Sequence, residues 1–206
     1  MAEKLNLKKH HKELYRASAK EPRLVEVPPL QYLMVDGAGD PNTAAAYGRS
    51  LEALYGLAYT LKFQVKKAPG GTDFGVMSSE SLWWAEDPED FARGNKDNWL
   101  WTNMIPQPDF ITAEQVEAAR AAAMQKKENE LLTKVRLADY TEGLSAQIMH
   151  VGPYADEGPT IAKLHCFMAD KGYTFGGKHH EIYLNDPRRT APERLKTIIR
   201  QPVTKA

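Results

Sequence analysis

The sequence predicts an α+β domain in which a strand-helix-strand-strand unit occurs twice, and three observations carry that expectation. Leu33-Met34-Val35-Asp36-Gly37 in the first half resembles Ile148-Met149-His150-Val151-Gly152 in the second. Each runs into a turn and then a helix, and in both halves further strand segments come next. The 206 residues also suffice for a sizeable core without metal or disulfide staples. Two such units side by side make an antiparallel-rich sheet with two helices on one face. A groove is then expected between the halves, the kind of concave junction that ligands favour.

The elements follow in order. Residues 1–23 are polar with little sustained apolar period and read as a short helix or peripheral arm without assigned chemistry. Residues 24–36 read as strand, with Leu30, Tyr32, Met34 and Asp36 on one face and Gln31, Leu33 and Val35 on the other. Gly37-Ala38-Gly39 ends it. Asp40-Pro41 then offers a side-chain N-cap and a proline suited to a first helical position, and Tyr47, Leu51, Leu54, Tyr55, Ala58 and Leu61 recur at helical spacing. After Pro69-Gly70-Gly71, residues 74–84 and 98–105 read as strands separated by a charged loop. Thr112-Ala113-Glu114-Gln115 is a capping box opening a helix to about Leu132.

Residues 135–151 supply two strands around Glu142-Gly143, and a helix runs from about Asp156 to Lys171 with Gly172 as its stop. Residues 178–184 form a last strand, and Thr190-Ala191-Pro192-Glu193 caps a closing helix that turns Leu195, Ile198 and Ile199 inward. The expected organisation is an arm over 1–23 and one domain over 24–203. Its pseudo-repeats cover about 24–110 and 133–187, joined by the helix at 112–132.

Lys plus Arg and Asp plus Glu number 27 each, so the chain lacks the positive field that draws proteins to phosphate backbones. Lys8-Lys9-His10-His11-Lys12 and Arg188-Arg189 read as solvated surface, and no nucleic-acid partner is expected. No stretch reaches the ~18 apolar residues of a membrane span, and no signal sequence opens the chain. A single cysteine, Cys166, fits a reducing compartment, and the cytoplasm is the expected location.

Alternation along the last strand puts His179, Glu181 and Tyr183 on one face and His180, Ile182 and Leu184 on the other, the apolar one being core. A carboxylate opposite the core must be solvated, paired or awaiting a cation, and if dry its pKa should rise. Trp83, Trp84, Trp99 and Trp101 crowd onto two neighbouring strands. Trp83 and Trp84 face opposite ways, whereas Trp99 and Trp101 share a face. Trp101 and Trp83, with Tyr55 and Tyr59 from the helix, are candidates to line the groove, where rings attract flat molecules and cations.

Other patterns carry less. Adjacent His179 and His180 face apart and no second ligand cluster has metal-site spacing, so neither metal nor cofactor is expected. Cys166 reads as a small core hydrophobe rather than a nucleophile paired with His165. Gly37-Ala38-Gly39 lacks the third glycine of a dinucleotide fingerprint.

The segment from Gly177 to Thr197, GKHHEIYLNDPRRTAPERLKT, resembles the C-terminal signature of the GyrI-like small-molecule-binding family. Leu82-Trp83-Trp84, Trp99-Leu100-Trp101-Thr102, Gln107-Pro108-Asp109-Phe110 and Ile148 to Tyr154 are similar to its stand-alone branch, so the likeness covers about Lys20 to Val203. The resemblance implies a duplicated strand-helix-strand-strand (SHS2-like) fold with a buried glutamate at the floor of an aromatic pocket that takes multidrug-type cations. In some members this domain is fused to DNA-binding helices; nothing before Leu24 is long enough for such a fusion here. A subset of relatives hydrolyses the strained cyclopropane of DNA-alkylating natural products within an aromatic cage. Carried to this chain, the resemblance implies an aromatic or cationic small-molecule ligand. Glu181, Tyr183, Trp101, Trp83, Tyr55, Tyr59 and His179 would bind it, and Glu181 and Tyr183 would be the catalytic residues of a hydrolase.

Overall fold

Proline and glycine punctuation divides the chain into nine strands and five α-helices in the computed structural model, which describes residues 4–206. In chain order they are α1 (Leu7–His10), β1 (Arg23–Val27), β2 (Leu30–Ala38), α2 (Ala45–Lys67), β3 (Glu80–Trp84), α3 (Pro88–Ala92), β4 (Leu100–Pro106) and α4 (Ala113–Met124). There follow β5 (Arg136–Tyr140), β6 (Gly143–Val151), α5 (Gly158–Asp170), β7 (Tyr173–Phe175), β8 (His179–Tyr183) and β9 (Lys196–Lys205). The fold is α+β with antiparallel pairing in each strand ladder.

The chain divides into two compact units. The first holds the residues up to His10, Leu30–Ser79 and Trp83–Tyr140, and the second holds His11–Pro29, Glu80–Leu82 and Thr141–Ala206. In the first, the strand order is β5, β2, β4 and then the Trp83-Trp84 end of β3; in the second it is β1, β6, β9, β8 and then the Glu80 end of β3. Strand, helix and two strands therefore recur as β2-α2-β3-β4 and β6-α5-β8-β9, with β7 added to the second set beside β9.

Each unit's core follows from its pattern. Leu54, Leu57, Ala58 and Leu61 on α2 are fully buried, as are Leu33, Val35, Met104 and Ile105 on β2 and β4. In the second unit Leu164 and Met168 of α5 pack on Ala146, Ile148, Ile199 and Val203. Gly37 lies opposite Trp101 in the β2–β4 ladder, and a Cβ there would stand 2.0 Å from the indole, so the glycine makes room for a fully buried ring.

Several boundaries differ from the expectations. The 24–36 strand breaks at Pro28-Pro29, where proline cannot donate to a ladder, giving β1 and β2. Asp40 caps no helix: its Oδ1 accepts from the Asn42 N–H at 2.9 Å in a local turn, and α2 begins later, behind Ala44. Residues 74–79 carry no strand, so β3 is short. The Thr112 capping box is present, but α4 ends at Met124 and a 3₁₀ turn takes Glu130–Thr133.

The largest correction concerns the C-terminus. The expected closing helix is β9, a ten-residue strand laddered to both β6 and β8. Its residues 197–203 are buried on both faces, and the β-branched Thr197, Ile198, Ile199 and Val203 favour extended backbone. Cys166 is exposed on α5 rather than a core residue.

Candidate functional site

Strand β8 presents chemistry on both faces. On one, the Tyr183 hydroxyl donates to Glu181 Oε2 at 2.7 Å and His179 Nε2 stands 3.3 Å from Glu181 Oε1. These are the i, i+2 neighbours that strand alternation brings together. Glu157, at the N-terminal cap of α5, is buried and acts with His179 and Tyr183 to lower Glu181.

Burial pushes the Glu181 carboxyl up, but the hydrogen bond and charge of His179, with the hydrogen bonds of Tyr183 and Glu157, outweigh it and hold the group below the ordinary carboxylate range. The expected rise on drying is thus reversed by its strand neighbours His179 and Tyr183, and by Glu157, which the sequence did not place beside it. Burial, and then the charge of His179, lower the nearby His165 ring.

Tyr154 reaches this group from the turn after β6, its ring meeting Tyr183 edge-on at 5.5 Å between centroids. His150 fixes that turn. Its Nε2 lies 3.1 Å from the Pro153 carbonyl and so carries the proton, leaving Nδ1 to accept from the Thr160 hydroxyl at 3.0 Å. Gly152, with φ +140°, passes close to the same imidazole.

The other face of β8 carries His180, fully buried between two carboxylates. Its Nδ1 lies 2.9 Å from Glu142 and its Nε2 lies 3.0 Å from Glu80. Arg200 from β9 donates to Glu142 at 3.1 Å, to Gln147 at 3.0 Å and to the Leu14 carbonyl at 2.7 Å, while the Tyr15 hydroxyl donates to Glu80 at 2.9 Å. Burial disfavours the His180 cation, yet Glu142 and Glu80 overcome that and raise it to about 9. Glu142, likewise opposed by burial, is brought down to about 2 by His180 and Arg200. Two acids face two bases, which makes burial of four charges tolerable. The arm before β1, to which no chemistry was assigned, thus helps close this network.

The aromatic residues gather in the first unit. Tyr47 stacks on Trp83 at 5.5 Å and meets Trp101 edge-on at 5.3 Å; Trp99 touches Trp83 at 5.6 Å and Phe91 at 4.9 Å. Trp83 and Trp101 are almost wholly buried, and the indole N–H groups of Trp83, Trp99 and Trp101 have no hydrogen-bond partner among the described residues. An unmet buried donor costs about 1–3 kcal/mol, so one cluster holds three donors able to gain from an acceptor. Tyr55 stacks on Tyr59 at 6.3 Å and accepts from the Ser79 N–H at 2.8 Å. Tyr59, half exposed, lines a cavity of about 360 Å³ with Phe63, Lys67 and Lys126.

Of the expected site residues, His179, Glu181 and Tyr183 come together on one strand face, and Trp83 and Trp101 share a cluster. Glu157 and Tyr47 were missed. A carboxylate at the start of the helix that follows Gly152-Pro153-Tyr154 was the available signal for Glu157; Tyr47 was read only as one turn of a helix. Among the described residues no group of three or more His, Cys, Asp or Glu is arranged to hold a metal, and no helix is long and apolar enough to cross a membrane.

The repeated strand-helix-strand-strand order, with a carboxylate group in the second unit and an aromatic cluster in the first, defines an α+β domain. The family model of the GyrI-like small molecule binding domain matches residues 20–204, and the chain belongs to that family. An uncharacterized conserved protein of Listeria innocua is 40% identical over 98% of this chain and 100% of its own, with a TM-score of 0.90. A hydrolase of the same organism is 38% identical over the same shares, with a TM-score of 0.85. The C-terminal domain of EcmrR, 16% identical over 90% of this chain and 98% of its own at a TM-score of 0.56, shares the fold. No curated protein matches the chain.

Proposed function

We propose that this GyrI-like domain is a hydrolase that takes flat aromatic molecules carrying an electrophilic ring, such as a strained cyclopropane conjugated to a carbonyl. The observation that carries this reading is the Glu181 carboxylate, which accepts from the Tyr183 hydroxyl and stands beside His179 on one face of β8. A carboxylate so placed can take a proton from water as a general base. Water attacks the ring carbon and gives its proton to Glu181. The ring C–C bond breaks, its electron pair passes into the conjugated carbonyl, and that oxygen takes a proton from solvent. Glu181 then returns its proton to solvent, and the net change is addition of one water.

Similarity to a Listeria innocua hydrolase over nearly the whole chain supports the same reading. By itself the aromatic cluster of the first unit, with its unmet indole donors, favours flat molecules bearing hydrogen-bond acceptors. A second reading, a non-catalytic receptor for aromatic cations, is favoured by Lys96 Nζ standing 5.5 Å over Trp99, since that cluster already presents a ring face to a cation.

Purified protein incubated with a cyclopropane-bearing alkylator and with flat aromatic cations, following both product and binding, separates the two. For the hydrolase, Glu181→Gln lowers the hydrolytic rate ~10²-fold or more with a small effect on binding of a neutral substrate. For the receptor, turnover is absent throughout and Glu181→Gln weakens cations by ~1–3 kcal/mol while neutral analogues are unchanged. A folded Glu181→Gln protein with neither change removes Glu181 from any site.

A further inference from the structure

The second unit holds a cavity of about 470 Å³ lined by Val151, Asn185, Arg189, Thr190, Arg194 and Lys196. None of these belongs to the acid-base group of Glu181. The cavity takes its shape from strand pairing: Lys196, the first residue of β9, is the ladder partner of Val151, the last of β6, so both point to one side of the sheet. Arg189, Thr190 and Arg194 come from the loop between β8 and β9, of which Arg188-Arg189 were expected as solvated surface and Thr190 to Glu193 as a helix cap.

Charge decides what fits. Three of the six lining residues are cationic and none is acidic. The nearby carboxylate, Asp186, is committed to Arg188, which meets it at 3.0 and 2.9 Å, and stands 4.0 Å from Arg189. The side chains of Arg194 and Lys196 make no hydrogen bond or ion pair among the described residues. Two planar guanidinium forks, an ammonium and the Thr190 hydroxyl form a donor set suited to the oxygens of a phosphoryl group. Asn185 Oδ1, shielded from solvent and without a hydrogen-bond partner, is left to accept from a ligand hydroxyl or N–H. Val151, half exposed, gives an apolar wall for an organic body.

We propose that this cavity is a binding site for a small molecule bearing a phosphate or diphosphate group. A cavity of this volume lies within the ordinary range for small-molecule sites. The equal numbers of acidic and basic residues, 27 each, and the confinement of these cations to one cavity favour a discrete ligand over a nucleic acid, which draws on a wider basic stripe.

The test is calorimetric titration of the full chain with inorganic pyrophosphate, repeated with a short duplex DNA and at raised salt. Expected is binding that weakens with salt and falls about tenfold or more in Arg194→Gln/Lys196→Gln, both positions being exposed and so tolerant of change. The same loss of charge at Lys127, on the first unit, leaves it unaltered. Arg194→Glu, checked for a native melting curve, abolishes binding. No pyrophosphate binding at millimolar concentration overturns the proposal, as does an equal loss in Lys127→Gln. Duplex DNA that binds and is not displaced by pyrophosphate also overturns it.

Discussion

His180 gives the sharpest quantitative expectation, because its charge is held by groups that only the folded chain assembles. Between Glu142 and Glu80 the imidazolium is raised from 6.5 to about 9, a gap of about 2.5, which at ~1.36 kcal/mol per pH unit is about 3 kcal/mol. A raised pKa means the folded state binds the proton more tightly than the unfolded state. Its stabilisation is therefore fully present below pH 6.5 and is lost as pH rises through about 9. Urea unfolding from pH 6 to pH 9.5 measures it: wild type should lose about 3 kcal/mol over that range, while His180→Gln, which keeps hydrogen-bonding capacity without charge, should start less stable and show a flat profile. An equal slope in wild type and variant, or a wild type whose stability is unchanged up to pH 9.5, would refute the claim that His180 is held as a buried cation.

Glu142→Gln leaves His180 and Arg200 facing Glu80 alone and should cost about 3–5 kcal/mol by urea unfolding. In wild type the Glu142 contribution, from a carboxyl lowered from 4.5 to about 2, is present above pH 4.5 and is lost as pH falls through about 2. Gly37→Ala drives a methyl to 2.0 Å from the buried Trp101 ring and should cost at least about 1–3 kcal/mol, with a changed tryptophan emission as the local readout. Cys166→Ser, at an exposed position, should leave stability within about 0.5 kcal/mol and turnover unaltered, and loss of turnover in a folded variant would reinstate Cys166 as a reacting group.

Legibility followed the range of the signal. The alternation that sets His179, Glu181 and Tyr183 on one face of β8 is a two-residue period and could be read directly, as could the capping box of α4. The doubled strand-helix-strand-strand order was readable because glycine turns follow β2 and β6 in matching places. Strand β9 was not, because a strand buried on both faces has no alternation, and Pro192-Glu193 just before it imitates a helix start. The charge network was wholly hidden: Glu142 and Glu80 lie 38 and 100 positions from His180, distances at which no spacing rule speaks.

That hidden network bears on the visible one through β8 itself. The proposed hydrolysis requires Glu181 to be held to within a fraction of an ångström, and side chains on a strand inherit the position of its backbone. Ladder bonds to β9 fix residues 180–183, but a ladder alone allows slippage wherever both faces are interchangeable. Here they are not. A one-residue shift would carry His180 away from Glu142 and Glu80 and leave buried acids unpaired, a change costing several kcal/mol. The same shift would turn Glu181 away from Glu157. Register is thereby specified by charge on one face, and the other face receives Glu181, Tyr183 and His179 in fixed places. The four buried charges need add little net stability to be worth keeping, since a core of equal-sized apolar residues would hold the sheet together without specifying which way Glu181 points.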